Sequence, residues 1–179
     1  MSQTINPLIY DYFDLIDQEV VLVEDTFDIL RESITPGKLD NCRGTRQELD
    51  ETAIQNYAEQ LITTLHSWML PDTPVRINAV CRINRSLGLA NVELIQSKTA
   101  EPVIVEELSE KEAFAYFRLE QAATEEHGSL RYLRSIRRFD KDRIRIYKPA
   151  RLGFWMRSTA INDASALHAE ISLSGNTKK

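Results

Sequence analysis

The stretch that decides the fold is residues 75–96, which read VRINAVCRINRSLGLANVELIQ. From Val75 to Ile83 apolar and polar side chains largely alternate, and a period of two is typical of a β-strand. Ser86-Leu87-Gly88 has the composition of a turn, and a return strand is predicted from Leu89 to Gln96. The two strands and their turn predict a β-hairpin.

Two helices are predicted before the hairpin. Apolar residues recur at alternating steps of four and three from Ile9 to Ile34, and Pro36-Gly37 then stops the pattern. This heptad spacing predicts one continuous helix over residues 7–34. A second amphipathic helix is predicted over residues 47–69, and the two would form an antiparallel pair.

After the hairpin, the chain returns to mixed patterns. Strands are predicted at 102–107 and 143–147, and helices at 109–128, 129–139 and 152–171. The first of these helices begins with a capping-box pattern, Ser109 followed by Glu112. The fold class is therefore α+β: a long antiparallel N-terminal helix pair, followed by a small, mainly antiparallel sheet of about four strands packed with three C-terminal helices.

The length of 179 residues is typical of one domain. We expect a single domain over 1–171, with a helical hairpin part (1–70) and a sheet-and-helix part (71–171), and a disordered polar tail at 172–179. No apolar run approaches the length of a membrane span and no signal peptide is evident, so we expect a cytoplasmic protein without membrane contact.

Motifs for catalysis are missing from the sequence. It contains no GxGxxG, Walker A or GxSxG motif, and His66, His127 and His168 have no partner at metal-ligand spacing. Cys42 and Cys81 are interpreted as free thiols in a reducing compartment. No catalytic residue, cofactor or metal site is predicted, which favours a protein that is not an enzyme.

The most unusual feature is a basic block, residues 131–157, which carries ten Lys and Arg against two Asp, a net charge of +8 in a chain of net charge −5. Aromatic residues run through the same block: Tyr132, Phe139, Tyr147, Phe154 and Trp155. The block has two interpretations. It either docks something anionic, or it neutralises the acidic segments 1–34 and 101–126, whose net charges are −7 and −6.

Arginine predominates in the basic block, and its planar guanidinium group forms bidentate pairs with carboxylate or phosphate. The predicted binding residues are Arg131, Arg134, Arg138, Arg143, Arg145, Lys148, Arg151, Trp155 and Arg157, with a secondary basic face at Arg76 and Arg82. Trp155 is equally well explained as a core residue covered by arginine side chains.

The first functional hypothesis is a soluble, non-catalytic binding or accessory protein whose basic, aromatic C-terminal face docks an acidic protein. The alternative is a nucleic-acid-binding accessory protein, or a divergent metal-dependent nuclease in which Asp72 and Glu93 would hold the metal. A third hypothesis is a small-ligand enzyme whose site is assembled from dispersed residues. The heptad pattern of residues 7–34 also suggests a homodimer that forms through that helix.

Overall fold

The structure, a computed structural model, describes residues 7–34, 44–70, 73–127 and 135–176. In this part of the chain a five-stranded sheet has the order β3-β1-β2-β5-β4. The strands are β1 (Arg76–Asn84), β2 (Leu89–Ser97), β3 (Ile104–Glu107), β4 (Ile136–Phe139) and β5 (Arg143–Pro149). The α+β class predicted from the sequence is confirmed.

The predicted hairpin is the centre of the sheet. Strands β1 and β2 pair antiparallel from Arg76↔Ser97 to Asn84↔Leu89. Gly88 ends their turn with a φ of 61°, a left-handed conformation that glycine adopts without strain. Strand β2 also pairs antiparallel with β5, so it is hydrogen-bonded on both sides.

The prediction of a mainly antiparallel sheet of about four strands is wrong in detail, because β3 runs parallel to β1 and makes the sheet mixed. Residues 136–139 form strand β4 and not the end of a helix over 129–139. The side chains of Ile136 and Arg137 point to opposite sides of the sheet, and β5 supplies the backbone hydrogen bonds. The residues of that predicted helix from 129 to 134 lie outside the described part of the chain.

The helices are α1 (Pro7–Tyr12), α2 (Asp17–Asp25), α3 (Arg31–Ile34), α4 (Glu51–Ser67), α5 (Glu110–His127) and α6 (Arg157–Asn176). A π-helical turn at Thr26–Leu30 joins α2 to α3, and short 3-10 turns lie at Gly44–Arg46 and Leu152–Phe154. Helix α6 extends to Asn176, so part of the segment predicted as a polar tail is helical. No described helix has the length and apolar character that a membrane span requires.

The predicted helix over residues 7–34 is interrupted, so the long antiparallel helix pair does not form. Asp14 has a φ of 52°, which breaks the helical path after α1, and Ile16 is extended before α2 begins. The heptad residues also do not form the buried side of this segment, because Val21 and Asp25, which are buried, both lie off the predicted seam. Instead, α4 packs against α6, where the Tyr57 hydroxyl donates to Asp163 at 2.6 Å.

The main core lies between the sheet and helices α4 and α6. Its fully buried members include Ile54, Leu61, Val92, Ile146 and Trp155. On the other side of the sheet, α5 covers one end through a second cluster that contains Leu89, Leu108, Ala113, Tyr116 and Tyr147. The predicted capping box of α5 is confirmed in part. The Glu112 backbone N–H donates to the Ser109 hydroxyl oxygen at 3.4 Å, but the Glu112 carboxylate accepts from the Ser109 hydroxyl, at 2.7 Å, and not from its backbone N–H.

Helix α6 begins at Arg157 and not at residue 152, because Leu152–Phe154 form a 3-10 turn that directs Trp155 inward. The first turn of α6 is capped from a distant part of the chain. The buried carboxylate of Asp25 accepts a hydrogen bond from the Ser158 backbone N–H at 2.6 Å. Arg157 also donates to Glu24 at 2.7 Å. These contacts attach α2 to the N-terminus of α6.

We predict that Gly44→Ala destabilises the fold far more than Gly88→Ala. Both glycines have positive φ, so each alanine costs about 1 kcal/mol of backbone strain. At Gly44 the added methyl group would also lie 2.2 Å from Ser33 Oγ and 2.6 Å from the Ile29 carbonyl oxygen, whereas at Gly88 nothing lies within 4 Å. Urea unfolding should show at least about 2 kcal/mol of additional loss for Gly44→Ala. Equal losses would contradict the close packing at Gly44.

Candidate functional site

The two faces of the sheet carry different chemistry. The face under α4 and α6 is apolar, while alternate residues on the opposite face are charged. We call this opposite surface the arginine face and define it by Arg82, Glu93, Arg138, Arg143 and Arg145. Glu93 on β2 lies directly opposite Arg145 on β5, and Arg145 lies opposite Arg138 on β4. The strand register therefore sets these charges in a row across three strands.

Glu93 is the centre of the arginine face. It is only 3% exposed, and three guanidinium groups donate to its two oxygens. Arg82 Nη1 lies 2.7 Å from Oε2, Arg143 Nη1 lies 2.9 Å from Oε1, and Arg145 Nε lies 3.1 Å from Oε1. One buried carboxylate thus orients side chains from β1 and β5, two strands that do not pair with each other.

A second set of carboxylates surrounds this centre. Arg82 Nε donates to Glu106 at 3.1 Å. Asp140 accepts from Arg145 at 2.9 Å and from Arg138 at 3.1 Å. Arg143 Nε donates to Asp142 at 3.4 Å. Each described arginine of this face therefore has a carboxylate partner within the chain, and the face is a network of alternating charge.

The ionisation of Glu93 depends on these arginines. Burial alone would raise the pKa of the Glu93 carboxyl group, because the charged form loses its hydration. Hydrogen bonds from Arg82 and Arg143 and the charge of Arg145 outweigh burial and hold the pKa of Glu93 below its usual value. The carboxylate is therefore charged at neutral pH and keeps the guanidinium groups in place.

The four arginines differ in how far they reach solvent. The side chains of Arg138 and Arg143 are 49% and 37% exposed, against 17% for Arg82 and 23% for Arg145. Arg138 and Arg143 are thus the groups that an incoming molecule meets first.

Lys148 and Trp155, two of the predicted binding residues, lie on the other side of β5 in the main core. Lys148 forms an ion pair with Asp163, and its ammonium group donates to the Phe154 carbonyl oxygen at 2.9 Å. The same group lies 4.7 Å from the ring centroid of Tyr57 and 5.2 Å from that of Trp155. Trp155 is 1% exposed, which agrees with the core interpretation of this residue.

The Lys148 cluster consists of Lys148, Asp163, Tyr57 and Trp155. Burial lowers the pKa of Lys148, and the adjacent Asp163 opposes that effect. Burial, followed by the negative charge of Asp163, raises the pKa of Tyr57 well above its ordinary value, so its hydroxyl stays a donor to Asp163. The hydrogen bonds and aromatic contacts of the Lys148 cluster join β5 to α4 and α6.

The remaining predicted binding residues are dispersed. Arg157 is paired with Glu24 and Asp25 at the start of α6. Arg76 and Arg151 are exposed, and no carboxylate in the described residues pairs with either of them. Arg131 and Arg134 lie outside the described part of the chain. The fold therefore brings together Arg82, Arg138, Arg143 and Arg145, and separates them from Lys148, Trp155 and Arg157.

Sequence reasoning missed the importance of Glu93 and Asp163. Sequence patterns assign Glu93 only the role of a metal ligand in the nuclease hypothesis, and they do not distinguish Asp163 from other acidic residues. The described residues include no group of three or more His, Cys, Asp and Glu that could hold a metal ion. A cation at Glu93 would have to displace guanidinium groups from both carboxylate oxygens. Burial raises the pKa of the Cys81 thiol to about 12, and Cys42 lies outside the described residues.

Comparison with known proteins gives no relative: no protein-family model, no curated protein and no solved structure matches the chain significantly.

We predict that Glu93→Gln destabilises the protein by about 2–3 kcal/mol, because three guanidinium groups lose a charged acceptor in a buried site. Glu106→Gln is the matched control. It removes a half-exposed partner of Arg82 and should cost less than about 1 kcal/mol. Chemical denaturation at neutral pH measures both. Equal costs would contradict the central role of Glu93.

The pH dependence follows from the lowered pKa of Glu93. As pH falls below the unfolded pKa of about 4.3, the unfolded chain takes up the proton first, so the contribution of Glu93 to stability declines. We expect unfolding free energy to fall less steeply between about pH 5 and pH 3 in Glu93→Gln than in the unchanged protein. Parallel curves would contradict this assignment.

We also predict strong coupling between Lys148 and Asp163. Lys148→Met alone removes the ammonium group that neutralises the Asp163 carboxylate, and it should lower the free energy of unfolding by about 3 kcal/mol or more. Asp163→Asn alone leaves the buried Lys148 ammonium group without its negatively charged partner and should lower the free energy of unfolding by a similar amount. The double variant should cost less than the sum of the two, and a double-mutant cycle in urea measures the difference. Strict additivity would show that the ion pair contributes nothing.

Proposed function

We propose that this protein is a non-catalytic binding protein that docks an acidic segment of a partner protein on its arginine face. The observation that carries the proposal is the buried Glu93, which holds three guanidinium groups in fixed positions across the sheet. Side chains that are already ordered lose little entropy on binding. Their planar donors match the geometry of a carboxylate.

Binding proceeds by exchange of the outer ion pairs. The pairs of Arg138 with Asp140 and of Arg143 with Asp142 involve side chains that reach solvent. Exposed pairs of this kind contribute only about 0–1 kcal/mol, so a partner carboxylate can replace the internal one at little cost. The inner pairs with Glu93 remain and keep Arg82, Arg143 and Arg145 oriented. Arg138 pairs with Asp140 and not with Glu93, so it exchanges this carboxylate for that of the partner.

The charge distribution favours a protein over nucleic acid. Glu106, Asp140 and Asp142 lie among the arginines and would repel the continuous negative charge of a phosphate backbone. The net charge of the chain, −5, gives no long-range attraction for a polyanion. A protein surface with separate acidic and basic groups matches an alternating network better.

The proposed contact set is therefore Arg82, Arg138, Arg143 and Arg145, in which Arg138 and Arg143 make the first contacts. Lys148 and Trp155 lie in the main core on the other side of β5, so they do not contact the partner. This narrows the set of binding residues expected from the sequence to those that share one surface.

The test measures binding of a short fluorescent peptide of alternating glutamate and serine by fluorescence anisotropy. We expect Arg138→Gln/Arg143→Gln to weaken binding at least about tenfold, which corresponds to about 1.4 kcal/mol. The matched control is Lys111→Gln/Arg118→Gln on α5, which also removes two exposed positive charges but none of the residues that define the arginine face, and which should shift affinity less than about twofold.

A short DNA duplex is measured in parallel at about 50 and 200 mM salt. DNA binding that falls steeply with salt and depends on Arg138 and Arg143 would replace the proposal with the nucleic-acid alternative. Loss of binding in Lys111→Gln/Arg118→Gln as large as in Arg138→Gln/Arg143→Gln would show that only net charge matters, and would overturn the proposed site.

A further inference from the structure

Large apolar side chains are exposed along the N-terminal segment. We call residues 9–22 the N-terminal strip, and its exposed apolar members are Ile9, Tyr12, Phe13, Ile16 and Leu22, with exposures from 47% to 83%. Clusters of exposed apolar side chains mark interaction surfaces in soluble proteins. Ile9, Phe13 and Ile16 belong to the heptad seam that the sequence predicts to be buried, yet no element in the described part of the chain covers them.

The strip is attached to the rest of the fold. The Tyr10 hydroxyl donates to Glu24 at 3.3 Å, and Glu24 in turn accepts from Arg157 on α6. The Ile16 N–H donates to the Glu19 carboxylate at 3.0 Å at the start of α2. Backbone hydrogen bonds also close the turn between α1 and α2, including Leu15 N–H to the Tyr10 carbonyl oxygen at 3.1 Å. The apolar side chains are therefore presented from an ordered segment.

The charge of the strip defines what can cover it. Asp11, Asp14, Asp17 and Glu19 are all exposed beside the apolar side chains. The sequence contains no Lys, Arg or His from residue 1 to residue 30. A partner must therefore combine apolar side chains for the stripe with positive groups for the acids around it.

A symmetric dimer of this chain does not fit this requirement. Two strips facing each other in a symmetric dimer would bring like charges together, which is unfavourable. An asymmetric contact would have to bring basic groups from elsewhere on a second copy, such as the exposed Arg76 and Arg151, onto the strip. Such a head-to-tail contact does not close into a symmetric dimer.

We propose that the N-terminal strip binds a cationic amphipathic helix of another protein. The apolar face of such a helix would cover Ile9, Phe13 and Ile16, and its basic residues would pair with Asp11 and Asp17. The strip is attached through α2 to α6, which covers the sheet face opposite the arginine face. The inference thus concerns a second surface and does not depend on the proposed function of the arginine face.

The probe is a fluorescent amphipathic peptide about 18 residues long, with leucine at helical spacing and lysine elsewhere. Two control peptides have glutamate in place of lysine, or the same composition in scrambled order. Anisotropy is measured with the full chain at about 150 mM salt, where weak surface attraction is screened. We expect binding of the amphipathic lysine peptide, and affinity at least about tenfold lower for both control peptides.

The diagnostic variant is Phe13→Ser/Ile16→Ser, which keeps every charge but removes two exposed apolar side chains. It should fold normally, as thermal unfolding can verify, and should bind at least about tenfold more weakly. Phe114→Ser on α5 is the matched control, because Phe114 is also exposed (55%) and lies elsewhere; it should bind like the unchanged protein. Asp11→Asn/Asp17→Asn should weaken binding and flatten its salt dependence.

Three results would overturn the inference. The first is no binding of the lysine peptide, or binding that Phe13→Ser/Ile16→Ser leaves unchanged. The second is equal binding of the scrambled peptide, since attraction would then depend on charge alone. The third is a dimer of the unchanged protein, seen by light scattering, that Phe13→Ser/Ile16→Ser converts to a monomer. In that case a second copy would cover the strip.

Discussion

A buried carboxylate that must be neutralised by specific cations constrains this structure more than any other group. Glu93 lies in the central hairpin at 3% exposure, and an unpaired charge in such a position is strongly destabilising. Its compensation comes from Arg82 on β1 and from Arg143 and Arg145 on β5. A shift of one residue in strand register would turn these arginines toward the apolar core. The same contacts therefore specify the register of three strands and the orientation of the arginine face.

The pleat of β5 explains why the basic block does not act as one surface. Successive residues point to opposite sides of a strand, so Arg143 and Arg145 join Glu93 while Lys148 enters the core and pairs with Asp163. Among the described ion pairs of the block, only those of Arg157 with Glu24 and Asp25 reach one of the two acidic segments, so the block mostly neutralises other acids than the sequence predicts. Its inner charges neutralise carboxylates of the chain itself, and its outer arginines keep enough exposure to serve the docking that we propose.

Local patterns predicted the local structure well. The alternation in residues 75–96 and the contact of Ser109 with Glu112 depend on neighbours in sequence. The hairpin is present, and one of the two backbone hydrogen bonds of the capping box is formed. The prediction of one helix over residues 7–34 is wrong because it depends on more than local spacing. Periodicity indicates which side chains share a face, but it does not reveal the left-handed Asp14 that interrupts the path, nor whether a partner element exists. Residues 136–139 form a strand because they pair with the edge of β5. The pattern within these four residues does not contain that pairing.

The sequence by itself determined the α+β class, the hairpin and the charge of each segment, because these properties depend on composition and on spacings of a few residues. The tertiary structure alone decided which charges meet. Glu93 and Arg143 are separated by 50 residues, and Asp25 and Ser158 by 133. Electrostatic attraction acts through space and not along the chain, so no spacing rule could assign these partners before the fold brought them together.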